Sequence, residues 1–122
     1  MPIVSKVYKS EQLTTFAVTG KITLEDIMQE LEFFYKGDPT KNALWDFSSA
    51  TLWNFTKKDV DIINSFSPRY EKDNNRSKTA LVAKDGQAFD LAILIKESGE
   101  TDNLPFKVEV VSTVEAAYKW LS

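Results

Sequence analysis

The sequence of 122 residues contains no cysteine and no histidine. Without cysteine the chain has no thiol nucleophile, no disulfide and no thiolate metal ligand, a composition that fits a reducing compartment. Without histidine it lacks the commonest general base and the commonest metal ligand. A serine hydrolase would then need a lysine or another base, and no residue spacing suggests one. We therefore expect no enzyme, no metal site and no cofactor.

Glycine, basic charge and long apolar runs are also scarce. The four glycines are dispersed and form no phosphate-binding loop, and the net charge of −3 argues against a nucleic-acid surface. No apolar run approaches the roughly 18 residues that span a bilayer. The first ten residues lack the apolar core of a signal peptide. We expect one domain, residues 1–122, located in the cytoplasm without membrane insertion.

Hydrophobic periodicity divides the chain into nine elements in the order β-β-α-β-α-β-α-β-α. Strands are expected at residues 3–8, 13–18, 43–47, 79–83 and 106–110. Helices are expected at residues 24–36, from the N-cap Thr56, at residues 87–98 and from the N-cap Thr113. Strands that alternate with helices pair in parallel through right-handed crossovers. The fold class is therefore α/β: a mixed, mostly parallel five-stranded sheet with four helices and an antiparallel edge strand.

Polar residues follow the buried strand Ala43–Phe47, where parallel sheets place their binding groups. Asp46 is expected at the end of this strand, with Ser48 and Ser49 just beyond it. A carboxylate beside two hydroxyls can bind a polar ligand, and Asp can equally cap a turn through nearby backbone N–H groups. We favour the structural role for Asp46 and retain the three residues as a candidate binding site.

Two aromatic residues, Trp53 and Phe55, lie in the loop between this strand and the next helix. Exposed loop aromatics can anchor a partner protein or line an apolar cleft, and they can also cover the sheet. Trp45, within the strand, is expected in the core. We keep both interpretations of the loop aromatics open.

The third helix is apolar over a wider arc than a surface helix requires. Phe89 and Ile93 lie beside its main apolar face, and Leu94 adds to the excess. Because surplus apolar surface usually contacts a partner or a ligand, we predict a homodimer interface at these three residues. The same helix is expected to end at Gly99.

The element order resembles the STAS domain family of anti-sigma-factor antagonists, and more closely its SpoIIAA-like members of uncharacterised function. The resemblance extends over nearly the whole chain and rests on the segments "VTGKIT", "GDPTKNALWDFSSATL", "KTALVAKDGQAFDLA" and "LPFKVEVVSTVEAAYKWL". Phosphorylation-regulated members carry Asp-Ser-Ser-Gly at the start of a helix, and Asn54, Phe55, Thr56 and Lys57 occupy those positions here. Thr56 is the hydroxyl that remains, so the resemblance implies Thr56 as the phospho-acceptor; the alternative is an N-cap that serves the helix alone.

These observations predict a non-enzymatic regulatory or protein-binding module of the STAS type, acting on a partner protein or as a homodimer. The binding surface would include Asn54 together with the strand-end and loop residues named above. The alternative is a carrier of a small apolar or lipid-like ligand, by analogy with CRAL-TRIO domains, which share the broader architecture.

Overall fold

The protein forms one five-stranded sheet with helices on both of its faces. A computed structural model describes residues 2–37, 39–52, 55–66, 78–84, 86–101 and 106–122. The elements are β1 (Ile3–Tyr8), β2 (Leu13–Ile22), α1 (Leu24–Lys36), β3 (Asn42–Leu52), α2 (Lys57–Phe66), β4 (Lys78–Val82), α3 (Gly86–Thr101), β5 (Lys107–Val111) and α4 (Val114–Leu121). The strand order is β1-β2-β3-β4-β5, with β1 antiparallel to β2 and every other neighbouring pair parallel. The predicted fold class is confirmed.

Side-chain caps fix where three of the helices begin. The Thr23 hydroxyl accepts the N–H of Asp26, and the Asp26 carboxylate accepts the N–H of Thr23, which is a complete capping box. The same reciprocal bonds join Thr56 and Asp59 at the start of α2. Thr113 caps α4 through its hydroxyl. These caps satisfy backbone N–H groups that have no partner inside the helix, and the predicted helix starts are confirmed.

Helices α1, α2 and α3 each connect two neighbouring parallel strands. They lie on one face of the sheet because β2, β3, β4 and β5 follow one another across it in one direction and the connections share one handedness. The core beneath α1, α2 and α3 is the larger one. At its centre the rings of Phe16 and Trp45 stack with centroids 4.1 Å apart, and Phe34 meets Phe16 edge-on. Trp45 is buried, as predicted. A smaller core under α4 contains Leu13, Leu44, Ala80, Val82, Ala117 and Leu121.

The structure corrects the length of three elements. β2 was predicted to end at Val18 and continues to Ile22, because its last residues pair with the end of β3. β3 continues to Leu52, so Asp46 does not end the strand, and Ser48 and Ser49 lie within it. α3 continues through Gly99, which is buried in its last turns, to Thr101. Glycine costs a helix about 1 kcal/mol relative to alanine, and here tertiary packing outweighs that propensity.

Candidate binding site at the carboxyl edge of the sheet

The sheet narrows to two strands at its carboxyl edge, the end at which the parallel strands terminate. Pairing of β3 with β4 stops at Asp46, opposite Val82, whereas pairing of β3 with β2 continues to Leu52, opposite Ile22. Residues 19–22 and 49–52 therefore form a two-stranded extension, here called the ribbon. Its exposed side chains are polar: Thr19, Lys21, Ser49 and Thr51. The ribbon gives this end of the molecule a hydrophilic surface built on regular backbone.

A β-bulge marks the base of the ribbon, since Phe47 and Ser48 of β3 together face Val18 of β2. The carboxylate of Asp46 stabilises this bulge. Its Oδ1 accepts the Ser48 N–H at 3.0 Å and the Ser48 hydroxyl at 2.6 Å. Both bonds are local, so Asp46 supports the backbone of the candidate site and holds the Ser48 side chain in place.

Ser48 also lines a surface depression of about 310 Å³ between the ribbon and the beginning of α3. Thr51, Lys84 and Gln87 share that depression with it. Lys84 was not among the predicted site residues. The available signal was its position, because it is the first charged residue after the buried strand β4 and so projects from the carboxyl edge.

Thr56 belongs to a second hydrogen-bonded group at the start of α2. The Thr56 N–H donates to Asp59 Oδ2 at 2.9 Å, and the Thr56 hydroxyl contacts the same oxygen at 3.3 Å. Thr56 is exposed, and Lys57 pairs with Asp61 at 3.5 Å. Thr56 follows the last residue of β3 by four positions.

The loop aromatics and the third helix are described in part. Trp53 and Asn54 lie outside the described residues, while Phe55 is half-buried and packs against the larger core. On α3, Phe89 is 37% exposed, whereas Ile93 and Leu94 are half-buried. Of these three residues Phe89 presents the most apolar surface, and the homodimer stays a prediction.

An apolar cavity of about 60 Å³ lies between the helices and the sheet. Its lining consists of Ile27, Leu31, Phe34, Tyr35, Ala43, Trp45, Phe47, Ile63, Asn64, Thr79, Leu81, Ile95, Phe106 and Val108. Asn64 is 3% exposed, and its amide donates to the Ile95 carbonyl at 3.4 Å. The sequence analysis did not single out Asn64. It follows Ile63 on the buried stripe of α2, and a polar residue on such a stripe is the signal that could have found it.

Within the described ranges given above, no three or more acidic, histidine or cysteine side chains converge on a point that could hold a metal ion. No helix within the same ranges is both long enough and apolar enough to cross a membrane.

No protein-family model matches the sequence, and the search of curated proteins finds no match. Two solved structures are similar over almost the whole chain. One is an uncharacterised protein of the DUF3478 family with a SpoIIAA-like fold from Shewanella loihica, with 19% identity, a TM-score of 0.55, and coverage of 98% of this chain and 92% of that chain. The other is the anti-sigma factor antagonist SpoIIAA in its unphosphorylated form, with 9% identity, a TM-score of 0.56, and coverage of 98% and 96%. The protein therefore has the SpoIIAA-like fold.

Proposed function

We propose that this protein is a non-enzymatic, protein-binding module of the STAS type that contacts its partner through the carboxyl edge of the sheet. The observation that carries the proposal is the ribbon. Up to Asp46 one side of β3 pairs with β4. In the ribbon that same side of β3 has no strand partner within the described chain. Exposed hydroxyls and Lys84 surround that free edge. A polar surface built on regular backbone suits recognition of another protein.

The similarity of fold supports the same proposal. SpoIIAA is named for its action on an anti-sigma factor, which is a protein partner, and its structure is distinguished by phosphorylation state. Shared fold alone is a weak warrant for shared function. The ribbon and the exposed start of α2 add local support, because both offer hydrogen-bonding groups on regular secondary structure.

Photo-crosslinking tests which face binds the partner. A photoreactive residue at the exposed position Thr51 of the ribbon is expected to give a discrete crosslinked adduct in the source cell. The control is the same residue at Lys119, which is exposed on α4. Equal adducts from both positions, or none from Thr51, would contradict the proposal.

Thr56 is the proposed regulatory position on this surface. Phosphorylation would remove the hydroxyl proton that contacts Asp59 Oδ2 and would place a dianion beside that carboxylate. The first turn of α2 would then lose its capping box, although Lys57 and Lys58 offer charge nearby. The test is mass spectrometry of the protein isolated from cells grown under varied conditions. A Thr56 phosphopeptide is expected, and its consistent absence would count against this role.

The second candidate function is binding of an apolar ligand, and the cavity beside Asn64 is the observation that favours it. Its size limits the ligand. Pockets for drug-sized molecules measure about 300–1,000 Å³, whereas this cavity measures about 60 Å³. It can hold a molecule of a few heavy atoms, and a lipid chain would require the helices to separate from the sheet.

Native mass spectrometry of freshly purified protein tests this second function directly. A carried apolar molecule would add a defined mass that organic solvent removes. Two results together would contradict apolar-ligand binding and leave protein binding as the remaining function. They are the bare polypeptide mass in every preparation and the absence of xenon-induced NMR shifts at Trp45 and Ile63.

A further inference from the structure

The outer edge of β5 carries backbone groups that point away from the sheet. Within the described chain β5 is the last strand, paired with β4 alone. The Ala83 N–H donates to the Val111 carbonyl at 2.9 Å, so the polar groups of Val111 face β4. In a parallel ladder alternate residues direct their N–H and C=O groups to opposite sides. The N–H and C=O groups of Val108 and Val110 therefore face outward.

The ion pair of Lys96 and Glu109 passes around this outer edge. Val108 and Val110 pack against the larger core, on the face covered by α3. Glu109 pairs with Ala80, which belongs to the smaller core, so its side chain leaves the opposite face under α4. Lys96 lies on α3, yet its Nζ is 2.9 Å from Glu109 Oε1. The two side chains meet only by crossing the edge of β5.

The same carboxylate oxygen also satisfies an outward backbone donor. The Val110 N–H donates to Glu109 Oε1 at 3.2 Å. The hydrogen bond from Lys96, aided by the one from Val110, lowers the pKa of Glu109, and the hydrogen bond to Glu109 raises the pKa of Lys96. Both groups are therefore charged at neutral pH. The Glu109 carboxylate, here called the clip, links Lys96 of α3 to the Val110 N–H at the outer edge of β5.

The edge behind this clip is accessible from solvent. A surface pocket of about 490 Å³ runs along it and is lined by Gly99 of α3, Trp120 of α4 and residues of β5. Natural sheets protect such edges because an open strand is a template for pairing with another chain. Charged side chains that point across an edge are one of the devices that provide this protection.

We propose that Lys96 and Glu109 form an autoinhibitory contact that prevents the β5 edge from pairing with a second copy of this chain. A second copy is the occupant that fits the geometry. Antiparallel pairing centred on Glu109 would place Val108 of each copy opposite Val110 of the other, so the outward groups of both would bond. Glu109 would then face its own counterpart, and like charges placed opposite each other are destabilising. Glu109 thus blocks pairing twice, by occupying the Val110 N–H and by its charge.

The test compares Glu109→Thr with the wild type and with Glu32→Thr, which removes an ion pair of similar kind from the exposed face of α1. Threonine suits a strand and carries no charge. Sedimentation equilibrium is expected to show a weight-average mass that rises towards that of a dimer as Glu109→Thr is concentrated. The wild type and the control should match each other at every concentration, so any association through the α3 residues predicted above is common to all three proteins and the additional rise belongs to Glu109→Thr. Equal masses for all three proteins at every concentration would overturn the proposal.

Amide hydrogen exchange provides an independent measurement on dilute protein. The Val110 amide should exchange roughly tenfold faster in Glu109→Thr than in the wild type, because it loses a charge-assisted hydrogen bond. Concentrating the variant should slow that exchange again. If Glu109→Thr does not fold, Glu109→Gln keeps the shape of the side chain and loses its charge, and it should also speed exchange at Val110. An unchanged rate in the folded variant would overturn the proposal.

Discussion

Filling the apolar cavity between the helices and the sheet should stabilise the protein. Ala43 lies in the central strand β3, is 2% exposed and lines the cavity. Ala43→Val adds two carbon atoms, which are worth about 1.6 kcal/mol if both become buried at about 0.8 kcal/mol each. Steric adjustment of the lining reduces the expected gain to about 0.5–1.5 kcal/mol.

The assay is guanidinium chloride unfolding followed by tryptophan fluorescence, with the midpoint shifting upward at an unchanged slope. Ala80→Val is the matched control. Ala80 is a fully buried alanine in the neighbouring strand β4, but it faces the smaller core and does not line the cavity. Adding the same two carbons there should destabilise the fold by about 1–3 kcal/mol. The reasoning is refuted if Ala43→Val lowers stability as much as Ala80→Val does.

Three further predictions follow from local geometry. Asp46→Ala should cost about 1 kcal/mol in chemical unfolding because it leaves the Ser48 N–H at the bulge without its acceptor, whereas Asp46→Asn should cost less than half as much; equal losses would contradict the assigned role. Burial raises the pKa of Glu30 by more than a hydrogen bond from Ser5 lowers it. The stability that protonated Glu30 contributes is therefore complete below its ordinary pKa of 4.5 and is lost as the pH rises through its raised pKa in the folded protein. Glu30→Gln should therefore raise the thermal midpoint slightly near neutral pH and leave it unchanged near pH 3; a rise of the same size at both pH values would contradict this. Gln12 has a φ of 52° in the β1–β2 turn, so Gln12→Gly should stabilise the fold by about 0.5–1 kcal/mol in urea unfolding, and a loss of stability would show that its side-chain bond to Lys9 matters more.

The parts of the fold that could be predicted from the sequence are those in which local and tertiary preferences agree. α1 occupies the predicted residues Leu24–Lys36 because Thr23 and Asp26 fix its start, an apolar stripe faces the core, and Gly37 follows its last turn. The parallel core strands were recognisable because both of their faces are covered, which requires continuous apolar runs.

The end of β3 was not predicted because its strand signal is weak. Ser48, Ser49 and Thr51 are polar and exposed, and such residues are typical of a loop. They form a strand because β2 continues beside them and supplies a ladder of backbone hydrogen bonds. Polar and apolar residues do alternate from Ser49 to Leu52, but over four residues that signal is too short to outweigh the polar run, so the prediction ended the strand at Phe47.

The contacts that carry the proposals depend on topology in the same way. Lys96 and Glu109 are 13 positions apart, and neither is unusual for an exposed helix or a half-exposed strand. Their pairing requires that α3 and α4 cover opposite faces and that β5 be the outer strand. None of these conditions is local. The alternation of Val108 and Val110 with Lys107 and Glu109 is typical of a half-exposed strand, but it does not indicate the ion pair at the outer edge.

The two outer strands are protected by charge in different ways. At β1, Val4 and Val7 are 60% and 55% exposed, and Lys6 lies between them. Antiparallel pairing of two copies of β1 centred on Lys6 would oppose two ammonium groups, and this repulsion is weakened by salt. At β5 the charge of Glu109 is bonded both to Lys96 and to the Val110 N–H, so the edge is closed by short hydrogen bonds as well as by repulsion. Because contacts this short are screened far less than charges separated in solvent, the β5 edge should stay closed at salt concentrations that abolish the protection of β1.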